Sequence, residues 1–214
     1  MINGSIETIP RLLAGTFVFG LALGTLAGAQ DRMPPIPADK LTTAQKQAVE
    51  EYKKARGSEA SGPWAVLTRS PELMSRTRVL SDYLRFGSTL PPRLSEFVIL
   101  MTAREWGQNY EWNAHHPLAL KGGLNPAVAK AIAEGRRPAQ MADDEASVYD
   151  LIQELLHNRT VSDATYAQAV SKFGEQGVVD AVSISGYYTM VAMLLNTART
   201  PLGPGVPAPL PAFP

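Results

Sequence analysis

Pro91–Gly123 reads PPRLSEFVILMTAREWGQNYEWNAHHPLALKGG, and its punctuation decides the fold. Two prolines open the stretch, Gly107 divides it and Gly122-Gly123 closes it, which is the start-and-stop pattern of two consecutive helices. At about 100° per residue, Arg93–Trp106 spreads Leu94, Phe97, Val98, Ile99, Leu100, Met101 and Ala103 around most of its circumference. A helix that is apolar on nearly every side belongs inside a bundle, not on its surface. Glu96 lies on that wheel between Ile99, Leu100 and Ala103, where an ionised carboxylate is costly without a partner.

Working outward, the same signals recur along the chain. Thr42 or Thr43 caps a helix ending near Gly57, and Ser70-Pro71-Glu72 opens one that closes at Gly87. The second helix of the quoted stretch spans roughly Gln108 to Lys121. Asn125-Pro126 begins a short helix ending at Gly135, and Asp143-Asp144-Glu145 begins another ending near Asn158. Ser162 with Asp163 caps a segment running to Gly174, and a last apolar helix covers about Val178 to Arg199. Period-2 alternation between turns is missing. The expectation is an all-α, compact multi-helix bundle from Leu41 to Thr200, without an internal repeat.

Composition narrows the function classes. Among 214 residues, 20 Lys and Arg balance 20 Asp and Glu, which argues against a broad basic nucleic-acid surface. Cysteine is absent, so disulfides, thiolate chemistry and Cys-ligated zinc are excluded in this chain. Leu12–Leu26 is a 15-residue uncharged run after Arg11, followed by Ala27-Gly28-Ala29. As a helix it reaches only about 22 Å, short of a hydrocarbon core of about 30 Å. Residues 1–29 therefore read as a cleaved signal peptide rather than an uncleaved anchor. The expected location of the mature chain is periplasmic or secreted, with no stable membrane anchor. A Pro-rich linker, residues 30–40, precedes the helical domain of residues 41–200. The tail, residues 201–214, carries six prolines and is expected to lie over its own domain or a neighbouring subunit.

The polar groups converge in Gln108–Pro117, QNYEWNAHHP. Glu111 and His115 are four apart and share one helix face, with Gln108 one turn earlier. A carboxylate there can orient the imidazole and favour its charged form. With Glu96 on the adjacent buried helix, two carboxylates and one imidazole can line one pocket, a set suited to general acid–base catalysis. Pro117 either kinks this helix or begins another. Metal binding has little support, because the di-iron pattern needs Glu-x-x-His on two helices and this segment has Glu-x-x-x-His once. Trp106, Trp112, Tyr187 and Tyr188 read as core aromatics. Arg136-Arg137 reads as a solvated turn, although arginine is the residue type that clamps a carboxylate.

Glu96, then Thr102–Leu120 (TAREWGQNYEWNAHHPLAL), Gly122–Pro138 (GGLNPAVAKAIAEGRRP) and Val161–Asp180 (VSDATYAQAVSKFGEQGVVD) together resemble the carboxymuconolactone decarboxylase-like family, in the superfamily of alkylhydroperoxidase D. The similarity spans about Leu41 to Asn196. The peroxidase branch carries a glutamate and then Cys-x-His-Cys-x-x-x-His. Those positions fall on Glu96 and then on Gln108, Tyr110, Glu111 and His115, so both thiols are gone and dithiol peroxidase activity is excluded. The resemblance implies a cofactor-free lyase, without metal, acting on a small carboxylated or lactone compound. His115 is then the proton donor or oxyanion partner, Glu111 orients it, and Glu96 is the second acid–base group. Gln108, Tyr110, Trp112 and His116 are the expected substrate contacts. Homo-oligomers, trimers or hexamers with pockets near subunit interfaces, are also implied. The export signal departs from the cytoplasmic catabolic enzyme and sets that enzyme's own substrate aside. The competing reading is a non-catalytic oligomeric binding or scaffold protein of the same fold.

Overall fold

The computed structural model describes Met1 and residues 31–211, and every regular element among them is helical. Apart from Met1, the expected signal peptide lies outside the described residues, as do residues 212–214 of the tail. In chain order the helices are α1 (Thr43–Arg56), α2 (Pro63–Leu67), α3 (Pro71–Phe86), α4 (Pro92–Glu105), α5 (Asn109–Lys121), α6 (Pro126–Ala133), α7 (Asp143–Asn158) and α8 (Asp163–Ala198).

Local chemistry accounts for the helix starts. Thr42 and Gln45 form a reciprocal capping box ahead of α1, and the side chains of Asn125 and Ser162 accept from first-turn amides of α6 and α8. Proline stands at the start of α2, α3, α4 and α6, where its missing N–H leaves nothing unpaired. Ser70 does not cap α3 as its sequence context suggests. Its φ of −129° and ψ of 78° depart from the extended backbone of a capping residue, and its hydroxyl makes no bond to the first turn.

The structure adds two elements. α2 lies in the Ser58–Arg69 interval, and Ala38–Lys40 of the linker forms a 3-10 turn. The expected break between the two terminal helices falls at Gly174, whose φ of 67° and ψ of 172° are non-helical and suit glycine alone, so α8 comprises two helical stretches meeting at a kink. α5 runs on through Pro117 to Lys121.

α4 is the axis of the bundle. Every residue from Leu94 to Arg104 is buried, and α5, α8, α7, α6 and α3 all pack against it. Fully burying a side chain such as Phe97 or Ile99 contributes roughly 1.5–3 kcal/mol, so this one helix carries a large share of the driving force. Polar bonds fix its neighbours' register: the Thr102 and Ser185 hydroxyls meet at 3.1 Å between α4 and α8, and Arg93 pairs with Asp144 and Glu145 of α7. The apolar stretch within α8 would suffice in length and hydropathy to cross a membrane, yet 56% of that window is buried inside the bundle. Both extended ends are tied to the domain. Arg32 N donates to Ala198 O at 2.7 Å, Leu210 N donates to Asn109 Oδ1 at 2.9 Å, and Leu210 itself is buried in the core. Residues 201–211 of the tail thus return to their own chain.

Candidate acid–base site

α4 and α5 are joined by the turn at Trp106–Gln108, which folds α5 back along α4. Asn196 of α8 holds that turn, donating to Trp106 O at 3.1 Å and accepting from Gln108 Nε2 at 2.8 Å. Gln108 Oε1 accepts from Tyr110 N and so caps α5. With both ends of its amide engaged in the backbone frame, Gln108 is a positioning element for α5 and not a cavity residue.

The fold-back brings His115 against Glu96. His115 Nδ1 lies 2.6 Å from Glu96 Oε2, and the two side chains are mostly buried. Nδ1–H donating to the carboxylate fixes the tautomer and leaves Nε2, which has no protein partner, as the basic nitrogen. The edge of the imidazole meets the Tyr188 ring at a centroid distance of 4.9 Å and an interplanar angle of 85°. Tyr188 is wholly buried, and desolvation raises its hydroxyl pKa well above the ordinary 10.0, so it stays neutral.

Glu111 has a different part from the one its spacing suggests. It does not bond His115; neither carboxylate oxygen has a partner, although the residue is only 3% exposed. Burial without a partner raises its pKa well above the ordinary 4.5, which favours the protonated acid. The orienting carboxylate is Glu96. Neighbours four apart on one helix share a face, but the rotamer that packs best need not point one side chain at the other.

His115 and Glu111 open on a cavity of about 200 Å³. α5 also contributes Tyr110 and Ala114; α3 contributes Ser81 and Arg85; α8 contributes Tyr187, Tyr188 and Val191. Tyr52 of α1, and Ser61, Pro63 and Trp64 around the start of α2, close the remaining side. Gly62 makes that closure possible: a Cβ there would meet Tyr110 Oη at 2.4 Å, and its φ is 54°. Glu96 stands behind His115 and lines a separate groove of about 470 Å³ with Arg85, Phe86 and Leu118.

Of the residues expected at the site, His115, Glu111 and Tyr110 line the cavity, and Glu96 reaches it through His115. Trp112 and His116 do not line it. Trp112 is buried in the core and its ring stacks on His116 at 5.8 Å. The contributors that sequence reasoning did not single out as site residues include Tyr52, Ser61, Trp64, Ser81 and Arg85. A signal for the α3 pair exists, because Thr77 and Ser81 are small polar residues on the buried Met74–Leu84 seam, and Arg85 follows Ser81 by one turn. Tyr187 and Tyr188 are core aromatics and cavity walls at once. Among the described residues, no three His, Asp or Glu side chains come together as a group able to hold a metal ion.

No protein-family model matches the chain, and no curated protein is significantly similar to it.

Proposed function

We propose that this chain is a cofactor-free acid–base enzyme of the carboxymuconolactone decarboxylase-like kind, a carbon–carbon lyase acting on a small carboxylated or lactone compound. One observation carries the reading: an imidazole held by a buried carboxylate faces a cavity that is also lined by an unpartnered, buried carboxyl group. Two titratable groups with unlike environments in one enclosure are what a reaction with separate proton-donating and proton-accepting steps requires.

In such a reaction the bond to the departing carboxylate breaks and CO2 leaves with no electrons from that bond. The electron pair enters the conjugated carbonyl, which becomes an enolate. The protonated Glu111 donates a hydrogen bond to that oxygen as its charge develops. His115, protonated at Nε2, then delivers a proton to carbon, and Glu96 holds the ring and stabilises the imidazolium between turnovers. The proton consumed is restored from solvent. Relative to the expectation from helix spacing, the two glutamates exchange parts.

Export to a periplasmic or secreted location and assembly into homo-oligomers belong to the same proposal. Apolar side chains left exposed on α3, among them Val79, Leu80 and Phe86, and Val179 and Met193 on α8, support assembly.

The test is a screen of the mature protein against lactones and small carboxylates with CO2 release as the readout. His115→Ala is expected to abolish turnover while the far-ultraviolet circular dichroism stays helical. A variant that folds and keeps full turnover would remove His115 from the chemistry and overturn the reading.

A further inference from the structure

Arg85 differs from the other partly buried arginines of this protein. Arg56 is 2.7 Å from Asp82, Arg78 is 2.6 Å from Asp82, and Arg93 is 2.6 Å from Asp144. Among the described residues Arg85 makes no hydrogen bond: its nearest acid is Glu96 Oε1 at 4.0 Å, and its buried Nε, like those of Arg56 and Arg78, has no partner. Phe86 covers one face of the guanidinium at 5.0 Å. Glu96 already gives its other oxygen to His115, so it does not satisfy this cation.

Among the described residues Arg85 is also the only Lys or Arg side chain lining the site cavity. Glu111 is the one carboxyl group among those lining residues; it does not bond Arg85, and burial without a partner favours its protonated form. A planar fork of donors beside an enclosed space, with no acceptor of its own, suits a carboxylate arriving from outside. Much of the remaining wall is made of rings, Tyr52, Trp64, Tyr110, Tyr187 and Tyr188, with the Ser61 and Ser81 hydroxyls and the His115 imidazole among them. Such walls favour a flat, unsaturated body.

We infer that Arg85 is the anion anchor of this cavity and that it selects a planar, unsaturated carboxylate, gripping it with the donors that Glu96 leaves free. The inference rests on the cavity being the reacting site proposed above, but it concerns recognition and not the chemical step. Arg85 is a binding and specificity residue.

The experiment uses the full chain and two probes: benzoate and its neutral isostere benzamide. Binding is read by calorimetry and by the side-chain Nε–H signals of arginine in NMR. Wild type is expected to bind benzoate about tenfold or more tightly than benzamide, with one arginine Nε–H signal shifting on benzoate addition. That signal should be missing from Arg85→Gln, which should bind benzoate about tenfold more weakly and benzamide unchanged. If Arg85→Gln does not fold, Arg85→Lys decides: it should keep the preference for benzoate over benzamide but bind benzoate about threefold or more weakly, lacking the fork. Equal binding of benzoate and benzamide to wild type, or undiminished benzoate binding by the folded variant, overturns the inference. Arg85-dependent benzoate binding with no turnover in any screen would sink the lyase and leave the anchor standing.

Discussion

His115 Nδ1 and Glu96 Oε2 lie 2.6 Å apart although the residues are 19 positions apart and on different helices, while Glu111, one turn from His115, bonds nothing. The carboxylate that matters to the imidazole is therefore supplied by packing across α4 and α5. Replacing Glu96 by Ala removes the acceptor and leaves Nδ1–H buried without a partner, at a cost of about 1–3 kcal/mol. Because Glu96 does not itself line the cavity, turnover should fall through kcat by about a hundredfold with KM little changed. Glu96→Gln, which keeps an acceptor oxygen but not the charge, should fall between. Urea denaturation and steady-state kinetics check both, and an Ala variant as stable and active as wild type would show the pair to be incidental.

Glu111 gives a stability effect whose sign depends on pH. In the unfolded chain it ionises near its ordinary 4.5, while in the folded protein burial keeps the proton on to a higher pH. Folding therefore takes up a proton above that ordinary value. Stability is fully present below it and is lost as pH rises, by about 1.4 kcal/mol per pH unit, until the folded carboxyl also ionises. Glu111→Gln has no proton to lose. Its advantage over wild type in chemical denaturation should be small at about pH 4 and exceed about 1 kcal/mol at about pH 7. A gap that does not widen with pH would mean that Glu111 is ionised in the fold.

Gly62→Ala tests the closure of the cavity. With φ at 54° and ψ at −126°, the backbone there disfavours any Cβ, and the added methyl would overlap the Tyr110 hydroxyl. Destabilisation of about 1–3 kcal/mol is expected from the backbone alone. Tyr110 must also turn away, so benzoate affinity should fall as well. Unchanged melting and unchanged binding together would place the α2 entrance elsewhere.

The docked tail is open to a simple test. Leu210 is buried in the main core, and its amide is held by Asn109 at the start of α5. Leu210→Ala should cost about 2 kcal/mol, the lower end of Leu-to-Ala changes because the site lies at the edge of the core. Limited proteolysis should then cleave between α8 and Leu210 faster than in wild type. Equal stability and equal cleavage would mean that the tail does not hold to its own domain in solution.

Much of the bundle was legible because helix ends and apolar periodicity are local. Pro92, Gly107 and the caps at Thr42, Asn125 and Ser162 mark boundaries through interactions within a few residues. α2 escaped because five residues make barely more than one turn, too short for a periodic pattern. The burial of Glu96 was readable from its apolar wheel, and so was its need for a partner. Which group would meet that need was not, since helix spacing favours Glu111 as His115's companion and says nothing of how α5 lies on α4. Gln108, Trp112 and His116 illustrate the same limit: position on a helix places a residue near a site without directing its side chain into it.

By itself, then, the order of residues determined that the chain forms helices, that α4 is their buried axis, and that a carboxylate and an imidazole sit on adjoining segments. Those properties follow from covalent neighbours and from the apolar surface each helix must hide. Only the tertiary structure decided that Glu96 holds the ring, that Glu111 is stranded without a partner, and that Arg85 faces the same enclosure with no hydrogen-bond acceptor among the described residues. The reason is physical: ionisation state and hydrogen-bond partnership depend on what lies within a few ångströms in space, and helix packing brings together groups far apart along the chain.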